Sequence, residues 1–184
     1  MIEQLRQPTL SAVQPLKNNF FDLIVKSYTV LIKAANPLQH LILLAFRLAW
    51  GLEFFISGRG KLLDHSGTVD FFKDLSIPFP DANAWFVSGL ECVGGVLLIL
   101  GLFSRPIGLL LAINMTVAFL ASTDDRALVF AMLKSTKDFD AFTQAAPYFF
   151  WLTALIVLAF GPGAISLDNL LAKTIFKSHI PAKD

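Results

Sequence analysis

The chain is poor in charge. Only 16% of its 184 residues are Asp, Glu, Lys or Arg, against about 25% in an ordinary soluble domain. The net charge is +1, so nothing in the balance points to nucleic acid or to an acidic substrate. Cysteine is nearly absent. Cys92 stands alone, which rules out an intrachain disulfide and a Cys-x-x-Cys redox pair. Beside Glu91 it reads as a small buried hydrophobe rather than a reactive thiol. His40, His65 and His179 lack zinc spacing, and none forms the pair at matched depth that bis-His haem ligation requires. No phosphate-binding glycine loop follows a strand, and no Ser or Cys nucleophile arrangement is visible. Residues 1–14 contain Glu3, Arg6 and Pro8 but no apolar run, which is not the pattern of a secretory signal.

Apolar residues, by contrast, are abundant: 55% of the chain, with 18 Phe. They gather into four spans, at about Leu38–Ser57, Ala84–Phe103, Pro106–Ser122 and Ala145–Phe160. The first two have about 20 residues, which at about 1.5 Å each cover roughly the 30 Å of a bilayer core; the last two are short and call for tilt or a thin region. The predicted fold class is an all-α membrane protein, a four-transmembrane-helix bundle. Ahead of it, residues 17–35 alternate Phe20, Phe21, Ile24, Tyr28, Leu31 and Ile32 with Lys17, Asp22, Lys26 and Lys33. That stripe predicts an interfacial amphipathic helix, or one docked on a partner. Asn36-Pro37 is expected to end it. Three regions result: an N-terminal interfacial segment 1–36, the bundle 37–171, and a tail 172–184.

The connections differ in kind. Ser104-Arg105 alone joins the second and third spans, which forces an antiparallel hairpin with Pro106 at the first helical position. The other two loops are longer and carry short amphipathic helices, one within TVDFFKDLSIPFPD and one opening at Asp124-Asp125-Arg126. With both termini inside, Arg6, Lys17, Lys26, Lys33, Arg105, Lys173, Lys177 and Lys183 face the cytoplasm. Arg59, Lys61, Lys73, Arg126, Lys134 and Lys137 face out. This mild bias favours an N-in, C-in orientation. The loop aspartates Asp64, Asp70, Asp74, Asp81, Asp124, Asp125, Asp138 and Asp140 all fall on the outer side. They read as solvated faces, or as a seat for a basic partner or a cation.

Arg47, Glu53 and Glu91 lie inside the spans. A charge at the bilayer centre costs about 2.5–3.5 kcal/mol even on the lenient scale, so such residues turn inward and pair. Counted at about 1.5 Å per residue, Arg47 lies about 14 Å and Glu91 about 20 Å from the inner boundary. Long side chains bridge that gap, and an Arg47–Glu91 ion pair is expected. Its role is either to fix helix register or to hold a polar headgroup and relay a proton. Glu53 sits on another face, with Lys61 and Arg59 as candidate partners. Asn114 is a buried amide in need of partners. Gly51, Gly58 and Gly60 in the first span, and Ser88, Gly89, Gly94, Gly95 and Gly101 in the second, suit close helix packing more than a ligand cleft.

Several segments together resemble the DoxX family: RLAWGLEFFISGRGKL (Arg47–Leu62), FFKDLSIPFP (Phe71–Pro80), GLECVGGVLLILGLFSR (Gly89–Arg105), NMTVAF (Asn114–Phe119) and GPGAISLDNLL (Gly161–Leu171). Their order covers residues 40–171. The resemblance implies a bacterial inner-membrane protein whose recurrent polar positions fall on Arg47, Gly58, Lys61, Glu91, Arg105 and Asp168. The family is named for a small subunit of a terminal quinol oxidase, and similar proteins accompany thiol-stress, superoxide-detoxifying and metal-handling systems. Two functional readings follow. One is an accessory membrane subunit without autonomous catalysis, bound to a protein partner or to a second copy of itself. The other is a quinone-interacting redox component, with the Arg47–Glu91 pair near Trp50 and Trp85. A transporter is a third, for which four helices leave little room unless the chain dimerises.

Overall fold

The computed structural model describes residues 19–134 and 139–176. Arg6, Lys17, Lys137, Asp138, Lys177, His179 and Lys183 lie outside the described residues, as do most of the expected N-terminal segment and tail. The described chain is helical and contains no strand. Its elements are α1 (Asn19–Leu63), α2 (His65–Asp74), α3 (Pro80–Leu100), α4 (Ser104–Ala121), α5 (Thr123–Lys134), α6 (Phe139–Gln144), α7 (Tyr148–Phe160) and α8 (Leu167–Leu171), which runs into a π turn (Ala172–Phe176).

The expected break at Asn36-Pro37 does not occur. Pro37 lies inside α1. Its ring removes one N–H, the one that would bond to the Lys33 carbonyl, and the helix continues because its neighbours keep their bonds. Contacts nevertheless divide the chain after Leu38. The described residues of the first unit are helical, and their side chains from Phe21 to Leu38 are all exposed. Everything below concerns the second unit, which begins at Gln39.

Three helices are long and apolar enough to cross a membrane: α1 from Phe21 to Leu63, α3 and α4. α7 is apolar throughout but has 13 residues, about 20 Å of helix. It starts at Tyr148 rather than Ala145 because Pro147 forms its cap and the preceding residues make a turn. The bundle turns its greasy side outward. Leu52, Ile56, Val93, Leu109, Ile113 and Val117 are all about half exposed, an arrangement costly in water and natural in lipid. A smaller core lies inside, built from Phe54, Leu98, Leu111, Ala112, Met115, Ala154 and Val157.

Glycine sets the helix spacing. A Cβ on Gly51 would lie 3.0 Å from the Gly95 carbonyl oxygen, and one on Gly58 2.7 Å from that of Ser88. A Cβ on Gly108 would lie 3.0 Å from the carbonyl of Ala154. The first two positions bring α1 against α3, and the third brings α4 against α7. Gly94 has side-chain neighbours only, the methyls of Leu111.

The α3–α4 hairpin is tight, as expected, but its turn lies earlier. Gly101 takes the left-handed conformation (φ 65°) and ends α3. Its N–H bonds to Leu98 O, and that of Leu102 to Leu97 O, the paired bonds of a Schellman motif. Ser104 and Arg105 are therefore already helical, and Pro106 falls in the first turn of α4, where a missing N–H still costs little.

Candidate functional site

The buried charges form two separate clusters, and the expected Arg47–Glu91 pair is not one of them. The glycine contacts set the register: Gly51 lies beside Gly95 and Ile99, and Gly58 beside Ser88 and Cys92. In antiparallel helices, moving up one means moving down the other. Arg47 is thereby level with the end of α3, and Glu91 with Ser57. Ten residues of α1 separate these levels, about 15 Å. Hydropathy located the span boundaries too loosely to resolve this.

Arg47, 1% exposed, donates to carbonyl groups alone. Its Nε bonds to Leu98 O at 2.9 Å, Nη2 to Ile99 O at 3.0 Å and Nη1 to Ile165 O at 2.9 Å, with Pro162 O a further acceptor of Nη1. The acceptors on α3 are carbonyls of its last turn, where a cation offsets the helix dipole. Those after α7 belong to a loop that the arginine pins in place. Asp168 completes this joint: its carboxylate accepts from Phe103 N and Ser104 N, both at 2.9 Å, and caps α4 from across the fold. Its own N–H donates to Gly101 O. Arg105 is exposed, with its guanidinium over Gly161. His40 accepts from Ala164 N. The hydrogen bonds of Arg47 and of the Asp168 carboxylate all go to backbone, so this cluster ties the end of α3 and the start of α4 to the loop after α7.

The second cluster has chemistry to spare. Glu91, also 1% exposed, accepts from Lys61 Nζ on both oxygens, at 2.6 and 2.5 Å. Ser57 Oγ donates to it at 2.9 Å and Asn114 Nδ2 at 3.2 Å. Lys61 and Ser57 are one turn apart on α1 and so share a face. Three helices thus converge on one carboxylate. The lysine side chain is 32% exposed against 2% for the glutamate.

This cluster forms the polar wall of a cavity of about 370 Å³. The other walls are mainly apolar: Phe71, Phe72 and Leu75 from α2 and its end, Val87 from α3, Met115 and Val117 from α4, and Phe150 from α7. Asn83, Ser122 and Asp125 add polar atoms at its edge. Phe71 and Val117 are more than half exposed, so the cavity reaches the outer surface of the bundle beside them.

Of the residues singled out by sequence, Glu91, Lys61 and Asn114 meet here. Glu53 does not. It is exposed on α1 and has no ion-pair partner among the described residues; Lys61 is committed to Glu91. Trp50 stacks on Phe149 and meets Phe150 edge-on, and Trp85 stacks on His65; neither tryptophan lines the cavity. His65 also contacts Asp81 at 2.9 Å. Cys92 is half-buried and unpaired. No group of His, Cys, Asp and Glu fit to hold a metal occurs among the described residues. Ser57 and Asn83 were missed by sequence reasoning, which placed Asp125 among the outer loop aspartates but not beside Glu91. Only Ser57 carried a signal, its one-turn spacing from Lys61.

Fold and site together define a helical membrane protein with a charged pair buried beside an apolar cavity. The chain belongs to the DoxX family, whose pattern matches residues 42–124. It is similar to Inner membrane protein YphA of Escherichia coli (strain K12), with 32% identity over 145 residues, 74% of this chain and 92% of that protein. It is also similar to Putative oxidoreductase CatD of Bacillus subtilis (strain 168), with 35% identity over 77 residues, 42% of this chain and 56% of that protein. The match thus spans just over half the length of CatD. No solved structure matches the chain.

Proposed function

We propose that the protein is a subunit of a redox system in the bacterial inner membrane, and that it holds the headgroup of a quinone or quinol in the cavity at Lys61 and Glu91. The observation that carries this reading is an internally neutral ion pair, its carboxylate buried and its lysine partly exposed, forming one wall of an otherwise apolar cavity. Because the pair cancels its own charge, the site suits an uncharged ligand. Lys61 has three N–H bonds, of which two point at Glu91; the third is free to donate. Asn114 keeps one N–H and its carbonyl oxygen. A quinone carbonyl accepts from such donors, and a quinol hydroxyl also gives to the amide oxygen. The apolar walls take the ring, and the opening beside Phe71 and Val117 leaves room for a hydrocarbon tail in the bilayer. The name of the CatD relative, a putative oxidoreductase, is in keeping with redox work.

In this reading the chain binds and orients the headgroup, and a partner oxidoreductase supplies the electrons. The residues before Leu38, exposed along their whole described length, serve as the docking or interfacial helix. α7 crosses as a fourth span, with both termini in the cytoplasm.

Binding of a short-tailed quinone analogue to the protein in nanodiscs tests the proposal. Lys61→Met combined with Glu91→Gln removes the charge-assisted donor together with its counterion. Loss of a charge-assisted hydrogen bond worth about 1.5–3 kcal/mol weakens binding at least about tenfold. Unchanged affinity in the folded double variant rejects the site.

A further inference from the structure

Lys61 lines two spaces at once. Behind the cavity wall lies a separate recess of about 270 Å³ bounded by Gly60, Lys61, Asp64, Gly67, Thr68 and Phe71. Only Lys61 and Phe71 belong to both. The recess lies where α1 ends and α2 begins, beyond the apolar span, and Gly60, Asp64 and Gly67 are exposed there. A Cβ on Gly60 would meet nothing within 4 Å, so this space is open. A Cβ on Gly67 would stand 2.9 Å from Asp64 Oδ1. Glycine there lets the carboxylate fold over the start of α2, where Oδ1 accepts from Gly67 N at 3.1 Å. Asp64 Oδ2 has no hydrogen bond among the described residues.

Lys61 and Asp64 are three residues apart where α1 ends, and Asp64 N still bonds to Gly60 O. That spacing brings Cβ atoms within about 5–6 Å. The ammonium therefore has two carboxylate seats within its reach, Glu91 enclosed and Asp64 in water. Leaving the first seat does not strip Glu91 of partners, because Ser57 and Asn114 still donate to it. Arriving at the second seat pairs an Asp64 oxygen that is otherwise unused. The charged groups around this path are Lys61, Asp64 and Glu91, with Asp125 on the far side of the cavity.

We propose that Lys61 is a gate and the recess is the aqueous entrance to the polar end of the cavity. It is closed while the ammonium sits on Glu91 and open when the side chain swings to Asp64. The amphipathic ligand enters beside Phe71 and Val117, while water and protons arrive through the recess. This rests on the cavity being a ligand site, and adds how its polar end exchanges with water.

The test uses the full chain in nanodiscs with Cys92→Ala and with Val87→Cys, a cavity-lining position one turn from Glu91, as reporter, treated with a small charged methanethiosulfonate. Gly60→Phe fills the recess from a position with free space, and slows labelling. Asp64→Asn keeps a good helix cap but removes the ionic seat, and also slows labelling. Lys61→Ala removes the gate. If the open arrangement is a minor state of about 10% or less, labelling then rises about tenfold or more. Labelling at the parent rate in both Gly60→Phe and Asp64→Asn overturns the proposal, because the reagent then arrives by another route. Those two variants decide the matter even if Lys61→Ala fails to fold. No quinone is present, so failure here leaves the quinone reading intact, and loss of quinone binding with intact gating leaves the entrance standing.

Discussion

Two residues with the same degree of burial have partners of opposite kinds. Arg47 and Glu91 are each 1% exposed. The partners of Arg47 are backbone carbonyls, whereas those of Glu91 are three side chains beside a cavity. Replacing Arg47 therefore costs stability. Hydrogen bonds to charged groups contribute about 1.5–3 kcal/mol each, and several vanish at once, so Arg47→Leu should lower unfolding stability in detergent by more than about 3 kcal/mol. Arg47→Lys recovers little, because a single ammonium cannot reproduce the planar fork that spans α3 and the loop after α7. Wild-type stability in Arg47→Lys would show that charge alone suffices. Glu53 behaves in the opposite sense. Glu53 is exposed on α1 with no ion-pair partner among the described residues, and its charge is a liability in lipid. Glu53→Leu should leave quinone-analogue affinity unchanged and raise stability in nanodiscs. A loss of stability there would show that Glu53 meets a partner in the assembled membrane.

At the scale of helices, glycine position decides everything about register. Gly58 and Gly60 are two residues apart on α1, yet a Cβ on the first would press on the Ser88 backbone and one on the second would meet nothing. Gly58→Ala must push α1 off α3, with a cost of about 1–3 kcal/mol from overpacking. Gly60→Ala and Gly89→Ala, which also has open space, should be neutral or stabilise by about 0.5–1 kcal/mol through helix propensity. A thermal-unfolding series over these three variants checks the ordering; equal effects at Gly58 and Gly60 would contradict the packing. The same contacts show what was legible beforehand. Buried charge at Arg47 and Glu91, close packing at Gly51, Gly58 and Gly95 and the α3–α4 hairpin are visible in sequence because charge and side-chain size are local properties, whereas Glu53, Gly60 and Gly89 face outward against expectation. Helix register is not local. It depends on which glycine meets which backbone, and a shift of several residues replaced the expected Arg47–Glu91 pair with Lys61–Glu91. The Pro37 break was also misjudged, since losing one hydrogen bond does not stop a helix whose neighbouring bonds survive.

At the scale of the whole bundle, the topology turns on α7. Its 13 residues give about 20 Å against the roughly 30 Å of a hydrocarbon core. Yet it contributes Ala154 and Val157 to the core together with Leu111 and Met115 of α4, so it lies alongside a helix that is long enough to span. A short helix held against longer ones thins the surrounding lipid, at fractions of a kcal/mol per Å of mismatch. The protein should accordingly be more stable in short-chain than in long-chain lipids. Orientation gives the sharper test. Single cysteines replacing exposed Ser66 and Gln144 should react with an impermeant thiol reagent on intact spheroplasts. Those replacing exposed Arg105 and Ala164 should react only after permeabilisation. Gln144 and Ala164 flank α7, so labelling of both from the same side would mean that α7 dips into the membrane and returns. That result would contradict the contacts of Gly108 with Ala154 and of Thr116 with Trp151, which lay α7 antiparallel along α4.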